Sequence, residues 1–278
     1  MRPSSSRYDL AQQPEKDYLW LHIRELPYFR SLIRAVEARY YRDFDLPAPT
    51  LDVGCGDGHF ATVAFDNPID VGLDAGWRPL REAQRRGGYI SLLQADGGKM
   101  PFADGYFCSA FSNSVLEHIP HVEKVLEEVA RVLQPGAPFV FCVPNHQFTA
   151  SLSIGRFCDR LGSKSLGDAY RRFFNRIARH IQCDPPEIWQ RRLQSTGFDL
   201  ERWWHYYSPT AMQVTEWGHY FGLPSLINFK LFGRWILVPT RWNLALIYNF
   251  TRKYYESPAE CEDGVCTFYI ARRGGNSL

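Results

Sequence analysis

The segment LDVGCGDGHF, residues 51–60, decides the fold. A short apolar run breaks into a glycine turn, and a helical pattern begins near Gly58. Gly54 and Gly56 let the backbone turn tightly and let a ligand approach without Cβ interference. The helix that follows points free N–H groups at the same place. Asp52 lies inside the strand just before the turn, and Asp74 ends the next strand 22 residues later. At that position an acidic side chain can accept hydrogen bonds from ribose hydroxyls. A dinucleotide fingerprint would read G-x-G-x-x-G/A, but the third place counted from Gly54 is His59. Two carboxylates beside such a turn suit a cation with an α-amino group and a ribose better than a pyrophosphate.

Outward from this turn, short apolar runs at 50–54, 69–74, 90–95, 107–112 and 138–143 alternate with helical patterns at 58–65, 77–86 and 121–133. Continuous apolar strands separated by helices predict an α/β fold, a parallel sheet covered on both faces. Residues 16–44 carry a helical stripe that Pro27 should break in two. After Asn145 the rhythm changes. Residues 146–186 are basic and helical in pattern, 187–196 reads as a helix ended by Gly197, and 199–207 as a strand. The stretch 208–258 is aromatic-rich and irregular, and 265–272 alternates as a closing strand.

The chain has 278 residues, 45% of them apolar, which suits one large domain or a domain with a sub-domain and excludes a mainly disordered or collagen-like chain. Its net charge of +2 is a cancellation: residues 151–253 hold 15 Lys/Arg against 7 Asp/Glu, and the remainder 17 against 23. The seven cysteines are scattered and odd in number, so they form no disulfide framework. Cys261 and Cys266 lack a second pair or a nearby His, and no metal-ligand set is read. Residues 1–16 contain no apolar leader core, and no run of about 18 apolar residues is free of charges. A reduced cytoplasmic setting is the expectation.

LDVGCGDGHF, VGLDAG (71–76), LLQADGGKMPFADGYFCSAFSNSVLEHI (92–119) and EEVARVLQPGAPFVFCVPN (127–145) together resemble the class I S-adenosylmethionine-dependent methyltransferases. The resemblance is to the branch that includes the ubiquinone/menaquinone-biosynthesis (type 11) enzymes, and it covers roughly residues 50–145. It implies a Rossmann-like sheet of seven strands, the last antiparallel, with helices on both faces and a helical, aromatic-rich cap. It implies S-adenosylmethionine as cofactor, with Gly54, Cys55 and Gly56 under its methionine part and Asp52 meeting the amino group. Asp74, followed by Ala75, would take the ribose hydroxyls. Asp96 would accept from the adenine amine, with Gly97 and Met100 near the ring, and the backbone at Ser112–Asn113 would line the methionine end. Gly97-Gly98 stand where the family commonly has a longer polar residue. His118 matches a position the family often fills with His.

The expected organisation is 1–46 as N-terminal helices over the cofactor, 47–145 as the binding core, 146–186 as a basic helical insertion, and 187–278 as the rest of the fold with a cap at 208–258. Methyl transfer from a sulfonium depends chiefly on in-line placement, and a base is needed only for some acceptors. Glu117, His118, His146, His205, Tyr206 and Tyr207 fall near strand ends, and none is assigned a catalytic role. Residues 203–255 hold 15 of the 42 aromatics, mixed with Lys230, Arg234, Arg241, Arg252 and Lys253. That mixture suits a cap over an apolar or amphipathic small-molecule acceptor, or a peripheral membrane contact through 208–258. Arg172, Arg176 and Arg179 share a helical face that would suit an anionic headgroup.

Two rival readings remain at this level. A nucleic-acid methyltransferase would use the basic region, but the Asn/Asp-Pro-Pro-aromatic run of amino-methylating enzymes is absent after the fourth strand, where FSNSVLEH stands. A non-catalytic cofactor-binding module would use its basic cap for membrane or protein association. The acceptor, the atom methylated and the oligomeric state are not legible in the sequence.

Overall fold

Seven strands form one sheet in the order β3-β2-β1-β4-β5-β7-β6. They are β1 (Thr50–Val53), β2 (Ile69–Asp74), β3 (Tyr89–Gln94), β4 (Ser109–Asn113), β5 (Pro138–Pro144), β6 (Phe198–Tyr206) and β7 (Cys266–Arg273). The first five are parallel, while β7 runs antiparallel to both β5 and β6. The computed structural model describes residues 16–42, 44–258 and 260–275. Residues 1–15, most of the stretch read above as lacking a leader core, lie outside the described residues.

Every residue of β1 and β4 is buried, as expected of central strands covered on both faces. Alternate side chains of β5 feed two cores. Val140 and Cys142 join Phe111 and Phe268 on one face, and Phe139, Phe141 and Val143 join Phe107 and Tyr269 on the other. The first core is closed by α1 (Tyr18–Ile23), α2 (Tyr28–Tyr41) and α3 (His59–Ala64). Beyond α4 (Trp77–Arg86), the second is closed by α5 (Val122–Val132). Pro27 stands just ahead of α2, where its fixed φ and missing N–H do no harm, and it separates the two N-terminal helices.

The basic stretch folds as α6 (Gln147–Ala150), α7 (Ser153–Arg160) and α8 (Lys164–Ala178), followed by α9 (Pro186–Ser195). Residues 208–258, irregular by sequence pattern, are helical: α10 (Pro209–Phe221), α11 (Leu223–Phe232) and α12 (Arg241–Tyr255). The reason is visible in α11, LPSLINFKLF, which is apolar around most of its circumference and buries no side chain. A helix without a polar face carries no periodic signal. Helix α10 lies on α2 so closely that a Cβ at Gly218 would meet Phe29 Cβ at 2.5 Å. Helix α12 is tied to α1 by Tyr248, whose hydroxyl donates to Asp17 at 2.8 Å, and to α2 by Arg39, which donates to the Tyr255 carbonyl at 2.6 Å. Among the described residues, no helix is long and apolar enough to cross a membrane.

Candidate cofactor and acceptor site

The glycine turn is held from beneath. The N–H groups of Gly54 and Cys55 both donate to the Leu73 carbonyl, at 2.8 and 3.0 Å, so the turn is pinned to the end of β2. Gly54 has φ +82°, and a Cβ there would stand 2.4 Å from Val115 Cγ1; at Gly56, with φ +56°, an added Cβ would meet nothing. The first glycine is required by packing, and the second leaves open space above the turn. Asp74 fixes the turn from the side, accepting from Gly56 N at 2.9 Å and Gly76 N at 2.7 Å. Each carboxylate oxygen retains a lone pair for a ligand.

The turn opens into a cavity of about 1220 Å³. Asp52, Gly54, Cys55, Gly56, Asp74 and Asn113 line it. Asp52 is 4% exposed, and Tyr89 donates to it at 2.6 Å. Burial pushes its carboxyl up to about 7, against the Tyr89 hydrogen bond and with help from Asp74 nearby. Among the described residues it forms no ion pair, and the Arg34 charge acts on it only from a distance. Ala75, Asp96, Gly97, Met100 and Ser112 do not line this cavity. Ser112 is fully buried, and its hydroxyl donates to the Val53 carbonyl. Met100 lies in the second core, and Asp96 is exposed after β3, accepting from Gly98 N at 2.9 Å.

His59, the residue that breaks the dinucleotide pattern, ties α1 down onto the turn. Its Nε2 lies 3.0 Å from His22 Nδ1, and Arg86 Nη1 lies 3.2 Å from its Nδ1. Arg86 Nη1 also donates to Glu25 at 2.7 Å, the same carboxylate oxygen stands 3.3 Å from His59 Nδ1, and His22 Nε2 is buried without a hydrogen-bond partner. Burial first, and the neighbouring His59 second, hold the His22 imidazole well below its ordinary pKa. Glu25 completes the cluster, its carboxyl lowered to about 2 chiefly by its hydrogen bond to His59.

Of the cavity's arginines, sequence reasoning singled out only Arg234. Arg24, Arg30 and Arg34 reach the cavity from the α1–α2 segment, Arg78, Arg85 and Arg86 from α4, and Arg234 from the cap. Of these seven, only Arg234 comes from the basic region 151–253. Residues 146–186 line neither this cavity nor the next. Arginines on an otherwise apolar helical stripe gave no signal because only the fold shows which way they face. Arg34 donates to Glu37 at 3.2 Å and to the Asn113 carbonyl at 3.0 Å.

A second cavity of about 860 Å³ is apolar, walled by Ile23, Val214, Trp217, Leu244, Ile247 and Phe250 among others. Leu26 and Ile236 line both cavities. Of the residues read as lying near strand ends, His118 lines the first cavity. Tyr206 is buried, donating to Glu37 at 2.9 Å, and His205 bonds Thr267 at 2.8 Å, both within the fold. Burial pushes the Glu117 carboxyl up to about 8.

The central part of the chain is similar to known proteins. A family described as a methyltransferase domain matches residues 51–141. Among curated proteins, malonyl-[acyl-carrier protein] O-methyltransferase of Legionella pneumophila is 32% identical over 101 residues, 34% of this chain and 36% of the relative. Botryococcene C-methyltransferase of Botryococcus braunii is 36% identical over 97 residues, 32% of this chain and 26% of the relative. The matches thus span only about a third of the curated relatives' length. Two solved structures share the fold. An S-adenosylmethionine-dependent methyltransferase from Mesorhizobium loti aligns with TM-score 0.52 and 18% identity, over 87% of this chain and all of that one. The [4+2]-cyclase SpnF aligns with TM-score 0.54 and 17% identity, over 86% of this chain and 81% of that one.

Proposed function

We propose, from the premise that residues 51–141 are a domain of the class I S-adenosylmethionine-dependent methyltransferase family, that the protein methylates an amphipathic small molecule on oxygen or carbon. The residues present fit the cofactor. A buried carboxyl in no ion pair among the described residues (Asp52), a turn that leaves open space over Gly56, and the free lone pairs of Asp74 suit an ammonium group, a methionine chain and a ribose. When bound, the cofactor supplies an electrophilic methyl group on a sulfonium. Asp52, Gly54, Cys55, Gly56, Asp74 and Asn113 would hold its methionine and ribose parts. Asp96, exposed just after β3, would meet the adenine from beyond this cavity.

The observation that carries the acceptor reading is the adjoining pair of cavities, one polar and arginine-rich, the other apolar, with Leu26 and Ile236 shared between them. An apolar body in the 860 Å³ cavity would leave a polar or anionic head beside Arg30, Arg34 and Arg234. Helices α1 and α2 and the cap would exclude water and keep the head in line with the methyl group. The exposed apolar residues Phe221, Leu223, Leu231, Phe232, Trp242 and Leu246, close in sequence to Lys230 and Arg241, favour collection of that acceptor from a membrane surface.

The test is cofactor turnover to S-adenosylhomocysteine by the full chain with a series of acyl and phenolic amphiphiles of increasing chain length. Turnover should rise with chain length, and Val214→Arg should raise the acceptor KM at least tenfold while calorimetry shows cofactor affinity unchanged. Turnover independent of chain length, or indifferent to Val214→Arg, defeats the acceptor reading. Failure of Asp74→Ala to weaken cofactor binding defeats the cofactor assignment. Co-sedimentation with anionic liposomes, reduced by Trp242→Ala, tests the membrane-surface route.

A further inference from the structure

Three donor groups meet where the turn after β4 faces the end of α8. Glu117 and His118 lie in the 3₁₀ turn Leu116–His118, and His180 follows α8 by two residues. The meeting is built into the backbone. Ile181 N and Gln182 N donate to the Glu117 carbonyl at 2.9 and 3.1 Å, and Gln182 Nε2 donates to the Ile119 carbonyl at 2.8 Å. One ligand atom from each of Glu117, His118 and His180 lies within 4.8 Å of the others.

Each side chain is prepared for a cation. Glu117 is 2% exposed, and its Oε2 is buried without a hydrogen-bond partner, while Oε1 stands 3.7 Å from His118 Nε2. His118 Nδ1 lies 2.9 Å from the Arg179 carbonyl. That acceptor places the proton on Nδ1 and leaves the Nε2 lone pair toward Glu117, the outer-shell arrangement that orients a ligating imidazole. His180 packs edge-on against Phe148 at 4.8 Å, its ring 5.4 Å from that of His118. The guanidinium acting on Glu117, that of Arg34, is already paired with Glu37 at 3.2 Å. Donors bound tetrahedrally at about 2.1 Å stand about 3.4 Å apart, so small side-chain rotations close the site.

We infer that Glu117, His118 and His180 bind a divalent transition-metal ion of zinc-like preference, with an open coordination position on the cavity side, where His118 forms part of the wall. Two imidazoles and one carboxylate favour Zn²⁺ or Co²⁺ over Mg²⁺ or Ca²⁺, which prefer all-oxygen sites. Three protein ligands leave room for a water or a substrate oxygen. Resting on the function proposed above, the inference adds that the open position receives an oxygen of the acceptor head. Metal binding itself does not depend on that reading. The pattern escaped sequence reasoning because His180 lies 62 residues beyond His118, in an insertion with no metal spacing of its own.

The experiment titrates metal-stripped full chain with Co²⁺, read by visible absorption, and with Zn²⁺, read by calorimetry. One ion per chain is expected, with the absorption bands of four- or five-coordinate cobalt. His118→Ala and His180→Ala should each weaken affinity at least tenfold, and His146→Ala should leave it unchanged. Absence of saturable one-to-one binding, or equal affinity in wild type and the two variants, overturns the site. Thermal midpoints and cofactor calorimetry on the same preparations exclude loss of fold. Intact metal binding without amphiphile turnover removes only the acceptor role of the open position.

Discussion

The buried Glu37 carboxylate accepts the side-chain amide of Asn113 at 2.7 Å, across 76 residues of chain. The same carboxylate takes the hydroxyls of Ser114 and Tyr206, each at 2.9 Å, and the Arg34 guanidinium. One side chain of α2 thus joins the end of β4, the end of β6 and an arginine of the cavity wall. Glu37→Ala would take this acceptor from four donors, one of them the charged Arg34, which keeps only the Asn113 carbonyl. Its cost should be about 3–5 kcal/mol in urea denaturation, and Glu37→Gln should recover part of it. A loss below about 1 kcal/mol would show that the hub is dispensable.

Gly54→Ala and Gly56→Ala should separate packing from ligand access. Both glycines have positive φ, but only at Gly54 does the new methyl collide, with Val115 at 2.4 Å. Gly54→Ala should lower stability by about 2 kcal/mol or more. Gly56→Ala should cost about 1 kcal/mol while still weakening cofactor binding, since its methyl enters the cavity. Equal stability losses in the two variants would contradict this division.

Cofactor affinity should depend on pH through Asp52, whose carboxyl burial holds near 7. A carboxyl raised above its unfolded value contributes stability fully present below that unfolded value and lost as pH rises through about 7. The free chain should therefore lose stability between about pH 4 and 8 from this group. A cationic ligand favours the ionised form, so binding should tighten about tenfold from pH 6 to 8 and release a proton. Asp52→Asn should flatten the profile measured by calorimetry.

His22 responds in the opposite sense. Its imidazole is held well below the ordinary value, so its contribution is present above about pH 6.5 and is lost as pH falls. The stability gap between the wild type and His22→Gln, read from thermal midpoints, should therefore narrow or reverse as pH falls from 7.5 to 5.5. Protease cleavage near α1 should increase over the same interval in the wild type.

The parallel half of the sheet was legible because each strand is a short, mostly apolar run closed by a turn residue, as with Leu51 and Val53 flanking Asp52 before Gly54. The closing strand was legible from its alternation, and its antiparallel sense only from the family resemblance. The cap helices were not, since α11 has no polar face and so no period. At the site, Asp52, Gly54, Gly56 and Asp74 were readable because turn chemistry is local. Arg24, Arg30 and Arg34 were hidden within a helical stripe whose orientation only tertiary packing sets, and His180 was hidden by distance along the chain. Met100 and Ser112, placed near the cofactor by resemblance, have buried side chains that do not line the cavity.

The antiparallel pairing of β7 against β5 has a consequence for how the chain matures. Residues 51–141, the part matched by the family, end inside β5, whose far edge is satisfied only when residues 266–272 arrive. Until then the nascent chain carries an open edge flanked by phenylalanines, and α2 lacks the Tyr206 partner of its buried carboxylate. The first helices wait for the last strand, so a fragment trimmed to the recognisable region should aggregate rather than fold. The stretch that evolution makes easiest to recognise is shorter than the stretch a ribosome must finish before any of it is stable.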